Sequence, residues 1–128
     1  MPIKLRSRPK WTAVFLPLSL AIAIFWLSII KAPKLYDSGN WFWDNVDKPG
    51  HLIAYATLTG SMFWAYASTI KHQRWTIIAA LMSLAFVYSL FLEIVQHFLP
   101  YRTFDPLDLL ANAVGIILAA IIFSRFKN

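Results

Sequence analysis

Four long stretches with almost no charge limit what this chain can fold into. They run Trp11–Ile30, Leu52–Ile70, Trp75–Leu92 and Leu109–Ser124. A bilayer core about 30 Å thick is crossed by roughly 17–25 helical residues. Backbone groups find no water in lipid, so each span must satisfy its own hydrogen bonds, and a helix does this within one segment. The alternation expected of a transmembrane barrel strand is absent. The first three runs have the required length. The fourth is short unless it begins near Leu107 and takes Asp108 into its first turn. The spans are accordingly set at about residues 11–30, 51–70, 75–98 and 107–124, in an all-α bundle of four transmembrane helices. Pro17 removes one backbone donor and is expected to kink the first span.

Composition agrees. Hydrophobic residues make up 59% of the chain and charged residues 14%, against about 45–50% and about 25% in ordinary globular proteins. A soluble fold of 128 residues would need more charge to cover its surface. The chain has no cysteine, which excludes disulfides, thiol nucleophiles and cysteine-ligated metals. The basic start at Lys4, Arg6, Arg8 and Lys10 resembles that of a signal peptide. The apolar run behind it exceeds the usual length of about 7–15 residues, and no small-x-small site ends it. The expectation is a retained first span.

The net charge of +6 is unevenly placed. Lys4, Arg6, Arg8, Lys10, Lys71, Arg74, Arg125 and Lys127 fall on one side of the bundle. Lys31, Lys34, Lys48 and Arg102 fall on the other. The side richer in Lys and Arg is the cytoplasmic one, so both termini are expected in the cytoplasm. Asp37, Asp44, Asp47, Glu93, Asp105 and Asp108 all lie on the outer side or at its edge. This asymmetry accounts for the basic balance through membrane orientation, and nucleic acid is not an expected partner. The outer segment between the first two spans contains Trp41, Phe42 and Trp43. It reads as an aromatic belt at the headgroup zone or, less readily, as a lid.

Three polar groups are predicted to meet at the outer face. Asp47-Lys48-Pro49-Gly50-His51 opens the second span, and His51 and Tyr55 share one helix face. Glu93 shares a face with Gln96 and His97 near the end of the third. Arg102, Asp105, Asp108 and Asn112 lead into the fourth, with Asp108 and Asn112 four residues apart. Charges in a span are costly and face the bundle interior. Hydrogen-bonded glue between helices explains any one of these residues. It does not explain His, Glu, Asp and Arg gathered at one depth. Gly60 and Ser61 read as close-packing positions, His72 as a solvated loop residue, His97 as facing either the cluster or the headgroups, and Asp105 as a turn before Pro106.

These residues resemble the VanZ-like family. Its pattern reads here as Asp47, Lys48, His51 and Tyr55, then Glu93, Gln96, Pro100, Arg102, Asp108, Asn112 and Gly115. The likeness covers roughly Asp47 to Gly115, and the span layout extends it to one domain over residues 1–128. The departure is Tyr101, where the family often has Gly before Arg. The resemblance implies a multi-pass protein of the bacterial inner membrane. It implies a link to the cell envelope, and to resistance to the glycopeptide teicoplanin.

Two readings of function remain open. In the first, the chain is an enzyme acting on a lipid or lipid-linked envelope molecule. His51, Glu93 and Asp108 carry proton transfer. Lys48, Tyr55, Gln96, Arg102 and Asn112 bind the substrate, Arg102 being suited to phosphate or carboxylate, and Asp47 and Gly115 support the site. In the second, the same pocket holds a headgroup or an antibiotic without chemistry. A small transporter ranks below both, because no broken-helix pair appears. No cofactor is evident. A divalent metal on His51, Glu93, Asp108 and His97 is the less favoured variant, since no compact ligand motif such as His-Glu-x-x-His occurs. Membrane lipids are the expected partners.

Overall fold

The computed structural model describes residues 10–30, 47–67, 74–101 and 104–126. Four helices account for nearly all of them: α1 (Lys10–Ile29), α2 (Asp47–Ala65), α3 (Arg74–His97) and α4 (Pro106–Phe126). No strand occurs among the described residues. The ends of α1 and α3 meet the starts of α2 and α4 at one end of the bundle, through bonds such as Gln96 to Ser28 and His51 to Asn112.

Local chemistry sets where the helices begin. α2 starts at Asp47, four residues before the expected span, because Pro49 is compatible with a first turn, where its missing N–H costs nothing. α4 starts at Pro106, with Asp105 as its cap. The Asp105 carboxylate accepts from the Leu107 amide at 2.9 Å, and its carbonyl accepts from the Asp108 amide at 3.1 Å. The fourth span therefore has full length, with Asp108 in its first turn. α1 continues through Pro17, which is buried.

Among the described residues, three helices are long and apolar enough to cross a membrane: Thr12–Ile29, Trp75–His97 and Pro106–Arg125. α2 is not among them, although its run had been expected to fit well. It carries Lys48, His51, Thr57, Thr59 and Ser61, and it is the most enclosed of the four. Tyr55, Leu58, Thr59, Met62 and Phe63 are all buried on it. A helix wrapped by protein can be less apolar than one wrapped by lipid. The core that surrounds it includes Leu81, Ala85 and Leu92 of α3 and Ile116 and Ala119 of α4. Large side chains such as Phe15, Leu27, Phe91, Leu110 and Ile122 are exposed, which suits a surface solvated by lipid. The chain is a multi-pass membrane protein on these grounds.

The closest approach is between α2 and α4. A Cβ added at Gly115 would overlap the Leu52 carbonyl oxygen and stand 3.1 Å from the Ala56 amide nitrogen. Both neighbours are backbone and cannot swing aside. Ala111 and Ala119 lie one turn to either side of Gly115, so small residues line this seam as they do where membrane helices pack tightly. A Cβ at Gly60, in contrast, would meet nothing within 4 Å. Gly115→Ala is expected to destabilise the protein by about 1–3 kcal/mol through overpacking, whereas Gly60→Ala is expected to be neutral or stabilising by up to about 1 kcal/mol. Thermal unfolding of both variants in detergent checks the pair. Equal losses would remove the special status of Gly115.

Candidate functional site

The α2–α4 seam presents Lys48 and His51 to Asp108 and Asn112. The Lys48 ammonium bonds to Asp105 at 2.5 Å and to Asp108. This link spans about sixty residues of sequence, and it ties the start of α2 to the cap and first turn of α4. Lys48 and Asp108 side chains are only 18% and 11% exposed, so the pair is shielded from most solvent screening. Lys48 is spent within the protein and does not line the cavity described below. Its ammonium holds the Asp105 carboxyl below its ordinary value of 3.8.

One turn further along α2, His51 Nδ1 lies 3.1 Å from the Asn112 side-chain oxygen. The Asn112 amide nitrogen donates to the Ser89 hydroxyl at 2.8 Å. With the amide assigned in that sense, Nδ1 carries the proton and Nε2 is the free basic atom. Nε2 stands 3.7 Å from Asp108 Oδ2, too far for a hydrogen bond but near enough to stabilise an arriving proton electrostatically. The Ser89 hydroxyl also contacts the Tyr55 hydroxyl. A buried chain therefore runs Lys48, Asp108, His51, Asn112, Ser89, Tyr55 across three helices.

Glu93 lies beside this chain and accepts from the Asp105 backbone amide. It is 2% exposed, and its Oε2 has no hydrogen-bond partner. A buried polar atom without a partner typically costs about 1–3 kcal/mol, more when it is charged. Glu93 lines a cavity of about 320 Å³ together with His51, Tyr55, Gln96 and Asn112. Ile24, Leu27, Ala54 and Leu92 form its apolar wall, and Ser28 and Gly50 complete it. Gln96 is oriented by donating to the Ser28 carbonyl at 3.1 Å.

The structure thus gathers His51, Tyr55, Glu93, Gln96 and Asn112 around one cavity, and sets Lys48 and Asp108 behind His51. Gly115 lies one turn below Asn112, where it permits the close helix approach. Arg102 lies outside the described residues, as do the Asp47 side chain and the Trp41–Trp43 segment. His97 is exposed, its ring edge-on to Phe98. Among the described residues, no three His, Asp or Glu side chains are grouped as a metal site would require. Two participants were missed in the sequence. Ser89, fully buried, lies four residues before Glu93 on the same face, and that spacing was the available signal. Asp105 was read only as a turn, yet it also takes the Lys48 ammonium.

The acid dependence of stability follows from the Asp105 pair. A carboxyl whose folded value is depressed stabilises the fold above its unfolded value, and that contribution is lost as pH falls through the folded value. Melting temperature is therefore expected to fall below about pH 3.8. Lys48→Met should lower stability near neutrality and flatten this part of the acid response. A melting series from pH 2 to 7 on both proteins measures it. An unchanged acid slope in the variant would show the pair to be energetically silent.

A family model, VanZ/LLP1, matches residues 10–127. No curated protein and no solved structure matches the chain.

Proposed function

The chain belongs to the VanZ/LLP1 family, and from that membership we propose that it is a four-span inner-membrane protein that takes the polar part of a lipid or lipid-linked envelope molecule into the Glu93 cavity and acts on it by proton transfer. Both termini are cytoplasmic in this reading, following the excess of Lys and Arg on their side. The cavity then opens toward the outer leaflet. α2 completes the set of four spans: its 19 residues rise about 28 Å, close to the bilayer core, and its Thr59 and Ser61 side chains are buried in protein.

The observation that carries the proposal is the unpartnered Oε2 of buried Glu93 at the cavity wall. A carboxylate oxygen left without a donor inside a bundle is poorly explained as glue, because glue satisfies its polar atoms. It is well explained as a group whose donor arrives with the ligand. Glu93 Oε2 accepts a proton from a hydroxyl or amine of the bound molecule. His51, which lines the same cavity and has Nδ1 held by Asn112, is the second proton-transfer group, and Asp108 beside Nε2 stabilises the imidazolium that forms. Tyr55 and Gln96 orient the ligand.

In cells that depend on the protein, Glu93→Gln and His51→Ala are each expected to lower turnover by at least about a hundredfold, the usual contribution of a general acid or base. The readout is a comparison of envelope lipids and lipid-linked intermediates, alongside teicoplanin susceptibility, with insertion verified in membranes. If both inserted variants kept full function, proton transfer would be abandoned. Loss with His51→Ala alone would instead favour a binder that needs no base at Glu93.

A further inference from the structure

A second cavity lies about one turn further along the same helices. It has a volume of about 280 Å³ and is walled by α1, α2 and α3. Its lining is apolar apart from the hydroxyls of Tyr66 and Tyr88. The two cavities occupy successive turns of the same three helix faces. On α1 the lining passes from Val14 and Ala21 to Ile24 and Ser28. On α2 it passes from Met62 and Leu58 to Ala54 and His51. On α3 it passes from Leu84 and Tyr88 to Leu92 and Gln96. The steps of three, four or seven residues keep each series on one stripe of its helix. Val14 to Ser28 is fourteen residues, so the combined trough is about 21 Å long. Tyr88 marks its waist, where its hydroxyl donates to the Ala21 carbonyl at 2.5 Å.

The trough has opposite characters at its ends. One end offers a buried carboxylate whose Oε2 lacks a donor, with His51 and Gln96 beside it. The other is a plain apolar slot that runs parallel to the helices, the direction in which lipid chains lie. Among the described charged side chains near the polar end are Glu93, Asp105 and Asp108 against Lys48, which is already held by two of them. The unsatisfied oxygen of Glu93 calls for a hydrogen-bond donor, which an amine supplies and an ionised phosphate does not.

We infer that the trough seats a single phospholipid bearing a headgroup amine, with the amine at Glu93 and one acyl chain lying along α1 in the lower cavity. The inference rests on the reading of the upper cavity as a lipid-headgroup site and adds the headgroup class and the place of the chain. The amine donates to Oε2 and satisfies the orphaned atom. The chain fills the slot beside Leu84 and Ala85. Bulk lipid could also fill an apolar slot, but its occupancy would not depend on what happens at Glu93, near the far end of the trough.

That dependence is the test. The full-length protein is reconstituted in vesicles of phosphatidylglycerol doped with a phosphatidylethanolamine probe that carries a photoreactive group on its acyl chain. A phosphatidylglycerol probe with the same chain serves as comparison. After illumination, the labelled residues are mapped by mass spectrometry. The amine probe is expected to label the lower cavity, around Leu18 and Leu84, at least about threefold more than the glycerol probe. Glu93→Gln should erase the difference. Leu84→Trp, a change at an exposed leucine, should fill the slot and remove the label from it. Equal labelling by both probes, or a headgroup preference that survives Glu93→Gln, would overturn the inference. Misfolding of Glu93→Gln would leave the probe comparison and the Leu84→Trp arm to decide. If the probes label equally while Glu93→Gln still abolishes the envelope phenotype, the amine assignment fails and the proposed function stands.

Discussion

The contact between Gly115 and the α2 backbone governs the geometry of everything above it. Only a residue without a Cβ lets α4 come this close to Leu52 and Ala56. One turn toward the polar end, the same approach brings Asn112 within reach of His51, and a further turn brings Asp108 to Lys48. Separating these two helices by the thickness of a methyl group would stretch the Asn112 bond beyond useful length and leave buried groups without partners. The polar chain and the close seam therefore stabilise each other. The seam cannot loosen without stranding polar atoms, and the polar atoms cannot be satisfied without the seam.

Beyond that seam the bundle divides its labour by solvent. α1, α3 and α4 show lipid-compatible surfaces, and the buried polar groups of α3 and α4 (Ser89, Glu93, Gln96, Asp108 and Asn112) lie on inward stripes. α2 gives up much of its apolar character because protein, not lipid, surrounds it. Among the described residues, Glu93 Oε2 and Thr59 Oγ1 are the buried side-chain atoms that depart from the rule that buried polar groups are paired. The surrounding network satisfies His51, Asn112 and Ser89 in turn and then stops short of Glu93 Oε2. The arrangement spends Lys48 on Asp105 and Asp108 and leaves one Glu93 oxygen unsatisfied.

Much of this was legible in the sequence. Four apolar runs placed four helices, and pairs three or four residues apart put His51 with Tyr55, Glu93 with Gln96, and Asp108 with Asn112 on common faces. Convergence followed from their positions at matching ends of successive spans. Other features left no such trace. α2 looked like an ordinary span because its run is uncharged from Leu52 to Ile70, whereas its polar first turn and scattered hydroxyls place it below the apolarity of its neighbours. The partners of Lys48 could not be read, since they stand 57 and 60 residues away and depend on how two helices are rotated. Ser89 was hidden because a serine within a span most often bonds its own backbone, as Ser19 and Ser28 do here. The orphaned oxygen of Glu93 is a property of its surroundings, and no local pattern encodes it.

The fastening of α1 differs in kind from that of the other helices. Only Pro17 and Ile24 are buried among its described side chains. Tyr88, Gln96 and Tyr101 instead donate to the main-chain carbonyls of Ala21, Ser28 and Ile29. Every residue type has such a carbonyl, so these three bonds recognise the path of α1 and ignore its letters. Substitutions along most of this helix leave its anchorage untouched, and its sequence is free to drift, or to be retuned to bilayers of different thickness, while the site beneath it keeps its shape.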